Sequence, residues 1–151
     1  MQIRELLQSD HDGVSRVCAA SARSRWTPTM LEDKPQRIVL VASIQDRIAG
    51  VAKTHFHPTS DGDAPAGNYL GGIVVAPEFR RLGVGASLTR ARLNWIWADA
   101  TVAYYFANEH NVASIGMHQA LGFQEVGRFG AIHGVSADDG VSRLVLFQAF
   151  R

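Results

Sequence analysis

The sequence predicts an α/β fold with a mixed sheet whose N-terminal half is antiparallel. Two apolar, β-branched segments at 37–44 and 47–57 are separated by only two residues, which is typical of a β-hairpin. A further apolar segment at 69–75 is followed by a helix-periodic segment at 83–99 and an apolar segment at 101–107. Because a strand–helix–strand crossover places its two strands in parallel, this middle region predicts the parallel part of the sheet.

The region before the hairpin is predicted to hold one strand and one helix. Gln2–Gln8 alternates enough for a short strand, and Asp10 is a suitable cap for a helix over 12–23. Residues 21–36 contain prolines among polar residues, which predicts a loop or a short second helix. The remaining connections in this half are a turn at 45–46 and a loop at 58–68.

The C-terminal half is predicted to alternate helices and strands. The helix at 83–99 has an apolar stripe of period 3.6, whose members are Val84, Leu88, Ala91, Trp95 and Ala98. A second amphipathic helix is predicted at 111–121, where Gly122 suits a left-handed cap. Two strands at 123–129 and 142–150 flank a Gly/Asp-rich loop at 130–141.

Composition narrows the class of protein. A chain of 151 residues is expected to form one domain over 1–151. A formal net charge of +1 argues against nucleic-acid or anionic-membrane binding, which favours a basic excess. The single cysteine excludes an intrachain disulfide and a cysteine-rich metal site. Neither a signal peptide nor an apolar span of ~20 residues is evident, so we expect a soluble cytoplasmic protein. We also expect it to bind no metal.

The strongest chemical signal is the loop after the strand at 69–75. It reads Arg80-Arg81-Leu82-Gly83-Val84-Gly85 and leads into a helix. The first N–H groups of a helix lack intrahelical partners, and glycine lets an anion approach them, so a pyrophosphate would fit beside the two arginines. Leu88 stands where a dinucleotide fingerprint needs a third glycine, and the loop lacks Gly-Lys-Ser/Thr, which excludes both common nucleotide motifs. An ordinary tight turn is the alternative.

Two motifs together resemble the GNAT superfamily of CoA-dependent N-acyltransferases. The first is Arg80-x-x-Gly83-x-Gly85 after an apolar strand, and the second is Asn111 followed by a helix that ends in Leu121-Gly122-Phe123. The predicted order of elements is similar to that of the family over nearly the whole chain. The resemblance implies a central sheet that splays open between its fourth and fifth strands, with flanking helices and acetyl-CoA in the gap.

The resemblance also implies which residues bind the acyl donor. The pantetheine would pair with the backbone of Ile73, Val74 and Val75, and a strand N–H near Val74 or Val75 would stabilise the thioester oxyanion. The pyrophosphate would lie on the amides of the loop. The expected donor-binding residues are Ile73, Val74, Val75, Arg80, Arg81, Leu82, Gly83, Val84, Gly85, Asn108, Asn111 and Ser114.

His118 is the candidate general acid. Family members often carry a tyrosine at the corresponding place, before Leu-Gly-Phe, where it protonates the leaving thiolate. Asn111, Ser114 and His118 are spaced three and four residues apart, which predicts a polar stripe on one helix face. An imidazolium there would donate a proton to the thiolate. A surface or sheet-packing histidine is the alternative.

The sequence does not identify the general base. Family members often place a glutamate in the fourth strand, where this chain has Gly71 and Gly72. Two adjacent glycines within a strand indicate a bulge or a close backbone approach. His55 and His57 alternate on the third strand and face one side of the sheet, where they would border the acceptor pocket with Trp26. Ordinary packing is the alternative for Trp26.

The expected activity is direct transfer of an acetyl group from acetyl-CoA to a primary amine of a small molecule. A protein N-terminal or lysine acetyltransferase and a non-catalytic acyl-CoA-binding module are the alternatives. Cys18 lies in a predicted helix far along the chain from the donor loop, which argues against a covalent cysteine intermediate. The two C-terminal strands are candidates for pairing in a homodimer.

Overall fold

The computed structural model describes all residues from Met1 to Arg151 and contains nine strands, four α-helices and two short 3-10 helices. The strands are β1 (Gln2–Glu5), β2 (Val39–Ile44), β3 (Arg47–His57), β4 (Gly67–Val75), β5 (Val102–Asn108), β6 (Gln124–Phe129), β7 (Ala131–Ile132), β8 (Val135–Ser136) and β9 (Leu144–Phe150). The helices are α1 (His11–Ala20), α2 (Pro28–Leu31), α3 (Val84–Trp97) and α4 (Val112–Ala120). No helix combines the length and the apolar character that crossing a bilayer requires.

Seven strands follow the hydrogen-bonded order β1-β2-β3-β4-β5-β9-β6, which confirms the predicted mixed sheet. β1, β2 and β3 are antiparallel, and the β2–β3 register places Val41 opposite Val51. β4 and β5 are parallel, with Tyr69 opposite Tyr104, as the α3 crossover predicts. β9 is antiparallel to both β5 and β6.

The predicted turn at 45–46 joins β2 and β3. Gln45 and Asp46 have positive φ values of 49° and 60°. Two consecutive left-handed residues have the backbone twist that suits a two-residue hairpin. The turn and a register shift between Ala42 and Ser43 together set how β2 pairs with β3.

The chain divides into two compact units, Met1–Thr54 with Gly71–Trp95, and His55–Leu70 with Ile96–Arg151. In the first unit, one core cluster contains Val14 of α1 together with Val41 and Val51. A second cluster contains Leu88 of α3 together with Ala52. Adjacent residues of β3 therefore face different clusters, as the two-residue period of a strand requires. The expectation of a single domain stays a prediction.

The second unit has a core of its own. Tyr69 of β4 packs there with Leu144 and Leu146 of β9 and with Ile132. Ile132 lies in β7, which pairs with β8 inside the segment predicted as a loop at 130–141. The loop prediction is thus wrong for these residues, because strands of two residues are too short to show a periodic pattern.

Two helix predictions also need correction. Asp10 is the N-cap residue of α1 as predicted, but its side chain makes no capping hydrogen bond, because its carboxylate instead accepts from Arg4 and from the Leu7 N–H. The buried face of α3 is wider than the predicted apolar stripe, since Thr89 and Arg92 are fully buried in addition to Leu88. Hydrophobic periodicity places polar residues at the surface by default, and so it misses those that are buried with partners.

Candidate functional site

The loop between β4 and α3 presents a run of backbone N–H groups. Those of residues 81–86 donate to no backbone carbonyl, and the Ser87 N–H donates to the Gly83 carbonyl. Gly83 has a φ of +79°, and a Cβ built there would meet no atom within 4 Å. N–H groups at a helix N-terminus carry positive potential and bind anions. The loop therefore has both the donors and the space that a phosphate group needs.

Arg80 and Arg81 add formal positive charge to this loop. Both are exposed, and neither belongs to any of the five ion pairs of the chain. The Arg80 Nε donates to the Val75 carbonyl at 3.2 Å, which holds that guanidinium beside the end of β4. Arg81 has a φ of +61°, so the loop turns sharply at this residue. Both side chains keep donors for an anionic ligand.

The C-terminal half of β4 is the predicted pantetheine path. Val74 belongs to the core cluster that includes α1, whereas Ile73 and Val75 pack against the cluster that includes α3. Within the first unit, β4 is the last strand in the hydrogen-bonded order. The backbone groups of a terminal strand on its outer side are available to pair with an extended chain. The pairing of a pantetheine with Ile73–Val75 is compatible with this position and stays a proposal.

The glycine pair in β4 makes room for a tryptophan. A Cβ on Gly72 would lie 2.8 Å from Cζ2 of Trp26, a distance that real Cβ contacts do not show. The close approach predicted from Gly71-Gly72 is therefore confirmed at Gly72. Trp26 is 7% exposed and belongs to the α1 core cluster, so it packs as a core residue while lying against β4.

Arg92 of α3 links two strands from inside the first unit. Its side chain is fully buried, and Nη1 donates to the carbonyls of Lys53 at 3.1 Å and Gly71 at 3.0 Å. Its Nη2 donates to the Thr89 hydroxyl at 3.0 Å. Charged donors make hydrogen bonds stronger than neutral ones do. Arg92 thus links β3 to β4 beside Gly71, a role that the hydrophobic pattern of the sequence does not reveal.

Lys53 of β3 is a buried lysine in the same region. The residue is 4% exposed, and its Nζ lies 4.5 Å from the centre of the Trp26 ring. Burial lowers the pKa of Lys53 to about 8, with a further contribution from the nearby charges of Arg37 and Lys34. The sequence contained one usable signal for Lys53, namely a charged residue directly after the apolar run 48–52 of β3.

In the second unit, the predicted donor-binding residues at the end of β5 form local turns. The Asn108 Oδ1 accepts from the His110 N–H at 2.9 Å. The Asn111 Oδ1 accepts from the Ser114 N–H at 3.4 Å and so caps α4. The Ser114 hydroxyl is hydrogen-bonded to the Tyr105 hydroxyl. The contacts of Asn108, Asn111 and Ser114 with a donor stay proposals.

His118 packs against the sheet, which is one of the alternatives that the sequence analysis leaves open for it. Its ring is fully buried and stacks on Tyr105 with centroids 3.5 Å apart and an interplanar angle of 4°. The Nδ1 lies 2.7 Å from the Ser114 carbonyl, and since a carbonyl only accepts, this nitrogen carries the proton. Side-chain spacing alone does not reveal that Tyr105 of the neighbouring strand covers this helix face. The role of His118 as an acid stays a prediction.

His55 and His57 belong to an aromatic cluster in the second unit. Their rings lie 6.2 Å apart, so they share one side of β3 as predicted. His57 also stacks on His133 at 3.8 Å, and burial together with His133 lowers the pKa of His57. Tyr69 lies edge-on to His57, and burial raises the pKa of its hydroxyl. No group of three or more His, Cys, Asp or Glu side chains is arranged to hold a metal ion.

Comparison with known proteins gives a family match. Residues 1–123 match the sequence model described as the Acetyltransferase (GNAT) family. One curated relative, an aminoglycoside N(6')-acetyltransferase type 1 of Acinetobacter baumannii, is 41% identical over 63 residues. That alignment spans 40% of this chain and 42% of the relative, so the chain spans under half the length of that protein.

Three solved structures illustrate the likeness of fold. The ribosomal-protein-S18-alanine N-acetyltransferase of Escherichia coli superposes with a TM-score of 0.77 at 16% identity, covering 99% of this chain and 92% of that one. A ribosomal-protein-alanine N-acetyltransferase of Brucella melitensis gives 0.73 at 20% identity over 100% of both chains. The yncA protein of Salmonella typhimurium, solved with its cofactor acetyl-CoA, gives 0.70 at 18% identity, covering 99% and 92%.

Proposed function

This chain belongs to the GNAT acetyltransferase family, and on that premise we propose that it transfers an acetyl group from acetyl-CoA directly to a primary amine of a small molecule. The observation that carries the proposal is the run of N–H groups at residues 81–86 without a backbone acceptor, beside open space at Gly83. The aminoglycoside-acetylating relative supports a small-molecule amine as acceptor.

The residues of the donor loop fit a diphosphate. The N–H groups of Arg81–Gly85 would bind its oxygens, and Arg80 and Arg81 would neutralise its charge. Ile73, Val74 and Val75 would pair with the amide-containing arm along the outer side of β4. Asn108, Asn111 and Ser114 complete the proposed donor-binding set from the end of β5 and the start of α4.

The acyl donor supplies an activated acetyl carbon as a thioester when it is bound. In the transfer, a bond forms between the amine nitrogen and that carbon, and the carbon–sulphur bond breaks. One proton leaves the amine nitrogen for a base or water, and the sulphur takes up one proton. An N–H of Val74 or Val75 would stabilise the negative charge that develops on the acetyl oxygen.

The proton for the sulphur is assigned to His118. The Nδ1–H of His118 donates to the Ser114 carbonyl, so the proton given to the sulphur would be carried by Nε2 of the imidazolium form. His55 and His57 remain proposed neighbours of the acceptor, as does Trp26.

A substitution at Gly83 tests the donor loop. We expect Gly83→Val to raise the Kd for CoA by about tenfold or more in calorimetry, because its Cβ and methyl groups would occupy the space proposed for the phosphates. Gly140→Val is the matched control, since Gly140 also has a positive φ, +67°, and open surroundings. The control protein should bind CoA like the wild type.

Two outcomes would contradict the proposal. Equal CoA affinity in Gly83→Val and Gly140→Val would refute the proposal that the loop at 81–86 binds the phosphates of CoA. Tight CoA binding without release of free thiol from acetyl-CoA, in the presence of a broad panel of primary amines and amino-terminal peptides, would favour the non-catalytic acyl-CoA-binding module. Thiol release with the peptides alone would replace the small-molecule acceptor by a protein.

A further inference from the structure

Lys53 is a buried cation without an anionic partner. The residue is 4% exposed, yet none of the five ion pairs of the chain includes it. Its Nζ lies 4.5 Å from the centre of the Trp26 ring and does not belong to the fully enclosed polar atoms that lack a hydrogen-bond partner. A mostly buried lysine whose ammonium has no acidic partner is a position that a bound anion would stabilise.

The neighbours of Lys53 are cationic as well. Arg37 and Lys34 lie close enough that their positive charges lower the pKa of Lys53. Arg37 donates from Nη2 to the carbonyls of Thr29 and Glu32, while its Nε is sealed from solvent and has no hydrogen-bond partner. No ion pair of the chain includes Lys53, Arg37 or Lys34.

The position of Lys53 along β3 connects it to the chemistry. Arg92 binds the carbonyls of Lys53 and Gly71 with one nitrogen atom, so these two residues lie side by side on β3 and β4. The proposed pantetheine path runs from the loop at 81–86 back along Val75 and Ile73, and it ends next to Gly71 and Gly72. The Trp26 ring under the Lys53 ammonium covers Gly72. On the proposed path, Lys53 would therefore lie near the reactive end of the donor.

We propose that Lys53 binds a carboxylate of the acceptor, so that the preferred acceptor is an amine that carries its own carboxylate, as amino acids do. The inference rests on the proposed function, because it assumes an amine that meets the donor beside Gly71. An acceptor carboxylate would neutralise the charge of Lys53, and the positive charges of Arg37 and Lys34 would add to the attraction. A polycationic acceptor such as an aminoglycoside would instead be repelled by Lys53, Arg37 and Lys34.

A role of Lys53 as general base is the competing assignment. A pKa of about 8 leaves the ammonium form dominant at pH 7, and the Trp26 ring stabilises that charged form. An ammonium group has no lone pair with which to accept a proton. Binding of an anion therefore fits the neutral-pH state of Lys53 better than proton abstraction does.

The test compares L-amino acids with their own C-terminal amides as acceptors, in wild type, Lys53→Met and Lys53→Arg. Methionine keeps the length and the apolar stem of lysine, so the buried site stays filled. We expect wild type to prefer the amino acids and Lys53→Met to raise their KM by about tenfold or more, with KM for the amides unchanged. Lys53→Arg should retain most of the preference, and the Kd for CoA should not change in either variant.

Each other outcome overturns the assignment. The proposed carboxylate recognition is refuted if wild type uses amino acids and their amides equally well. It is also refuted if wild type and Lys53→Met acetylate an aminoglycoside equally well. A fall in kcat with both members of every pair makes Lys53 a base. If CoA binds but no amine is acetylated, the proposed transferase activity is refuted. The role of Lys53 is then tested by calorimetry, which measures the affinity of amino acids for the CoA-loaded protein. Unchanged affinity in Lys53→Met would refute the carboxylate site separately.

Discussion

At the scale of single residues, the buried polar groups of this chain differ in whether the fold provides them with a hydrogen-bond or ion-pair partner. Groups with such a partner have a structural role. The Thr54 hydroxyl accepts from the Ile38 N–H, and Asp10 is held by Arg4. Arg92 donates to two carbonyls and a hydroxyl. Buried polar groups that are satisfied in this way are explained by the fold. Lys53 has no such explanation, which is why it carries the inference about the acceptor.

His118 offers a residue-scale test of the proposed acid. His118→Phe keeps a ring stacked on Tyr105 but removes the Nδ1 donor to the Ser114 carbonyl, so we expect a loss of about 1 kcal/mol in the free energy of unfolding. If His118 protonates the sulphur, kcat at saturating acetyl-CoA should fall about 100-fold, because a positioned acid contributes on that order. An unchanged kcat with the expected loss of stability would leave His118 a packing residue.

At the scale of elements, the first unit depends on a polar link from α3 to the sheet. α3 packs Val84 and Leu88 against the sheet and adds Arg92, which binds the carbonyls of Lys53 and Gly71. The link lies where Gly71-Gly72 leaves β4 without side chains to pack on that stretch. The position of β4 relative to β3, and hence of the proposed donor path, therefore depends on a helix residue as well as on strand pairing.

Removing that link should weaken the fold more than removing an exposed arginine of the same helix. We expect Arg92→Met to lower the free energy of unfolding by about 2 kcal/mol, because two buried carbonyls lose a charged donor. Arg90→Met is the matched control on the exposed side of α3 and should change stability by less than about 0.5 kcal/mol. Urea unfolding of both variants measures the difference, and equal stabilities would refute the role of Arg92.

At the scale of the whole molecule, stability should depend on pH through Asp10. The hydrogen bond from Arg4 is the main cause that lowers the pKa of this carboxyl, and the Leu7 N–H adds to it, although burial opposes both. A lowered folded pKa means that the ionised form stabilises the fold above the ordinary pKa of about 3.9. That contribution disappears as the pH falls from about 4 through the lowered folded value.

Asp10→Asn tests this contribution. We expect the variant to lose about 1–2 kcal/mol of unfolding free energy at pH 7, where Arg4 is left without its carboxylate. The difference from wild type should shrink as the pH is lowered below 4, since the wild-type carboxyl then becomes neutral as well. Asp33→Asn, at an exposed residue outside every ion pair, is the control. A difference that stayed constant down to pH 2 would contradict the assignment.

Local chemistry explains which predictions hold. The hairpin turn at Gln45–Asp46, the parallel β4–β5 pair and the open loop before α3 depend on residues that are neighbours in the chain, or on the α3 crossover. The loop that is predicted to bind the acyl donor supplies free backbone N–H groups by itself. The N–H groups at the start of a helix lack intrahelical partners, and this does not depend on the rest of the chain. Such features can be predicted from a sequence without knowledge of tertiary contacts.

The sequence by itself determined the order of the main elements, the mixed sheet and the glycine-rich loop before α3, because each follows from periodicity, turn chemistry or the free N–H groups of a helix end. Only the tertiary structure decided that His118 is enclosed by Tyr105, that Trp26 lies over Gly72, and that Lys53 is buried without an anion. Those facts depend on which side chains distant parts of the chain bring together. Burial and pairing are properties of the packed chain, and no local pattern of residues encodes them.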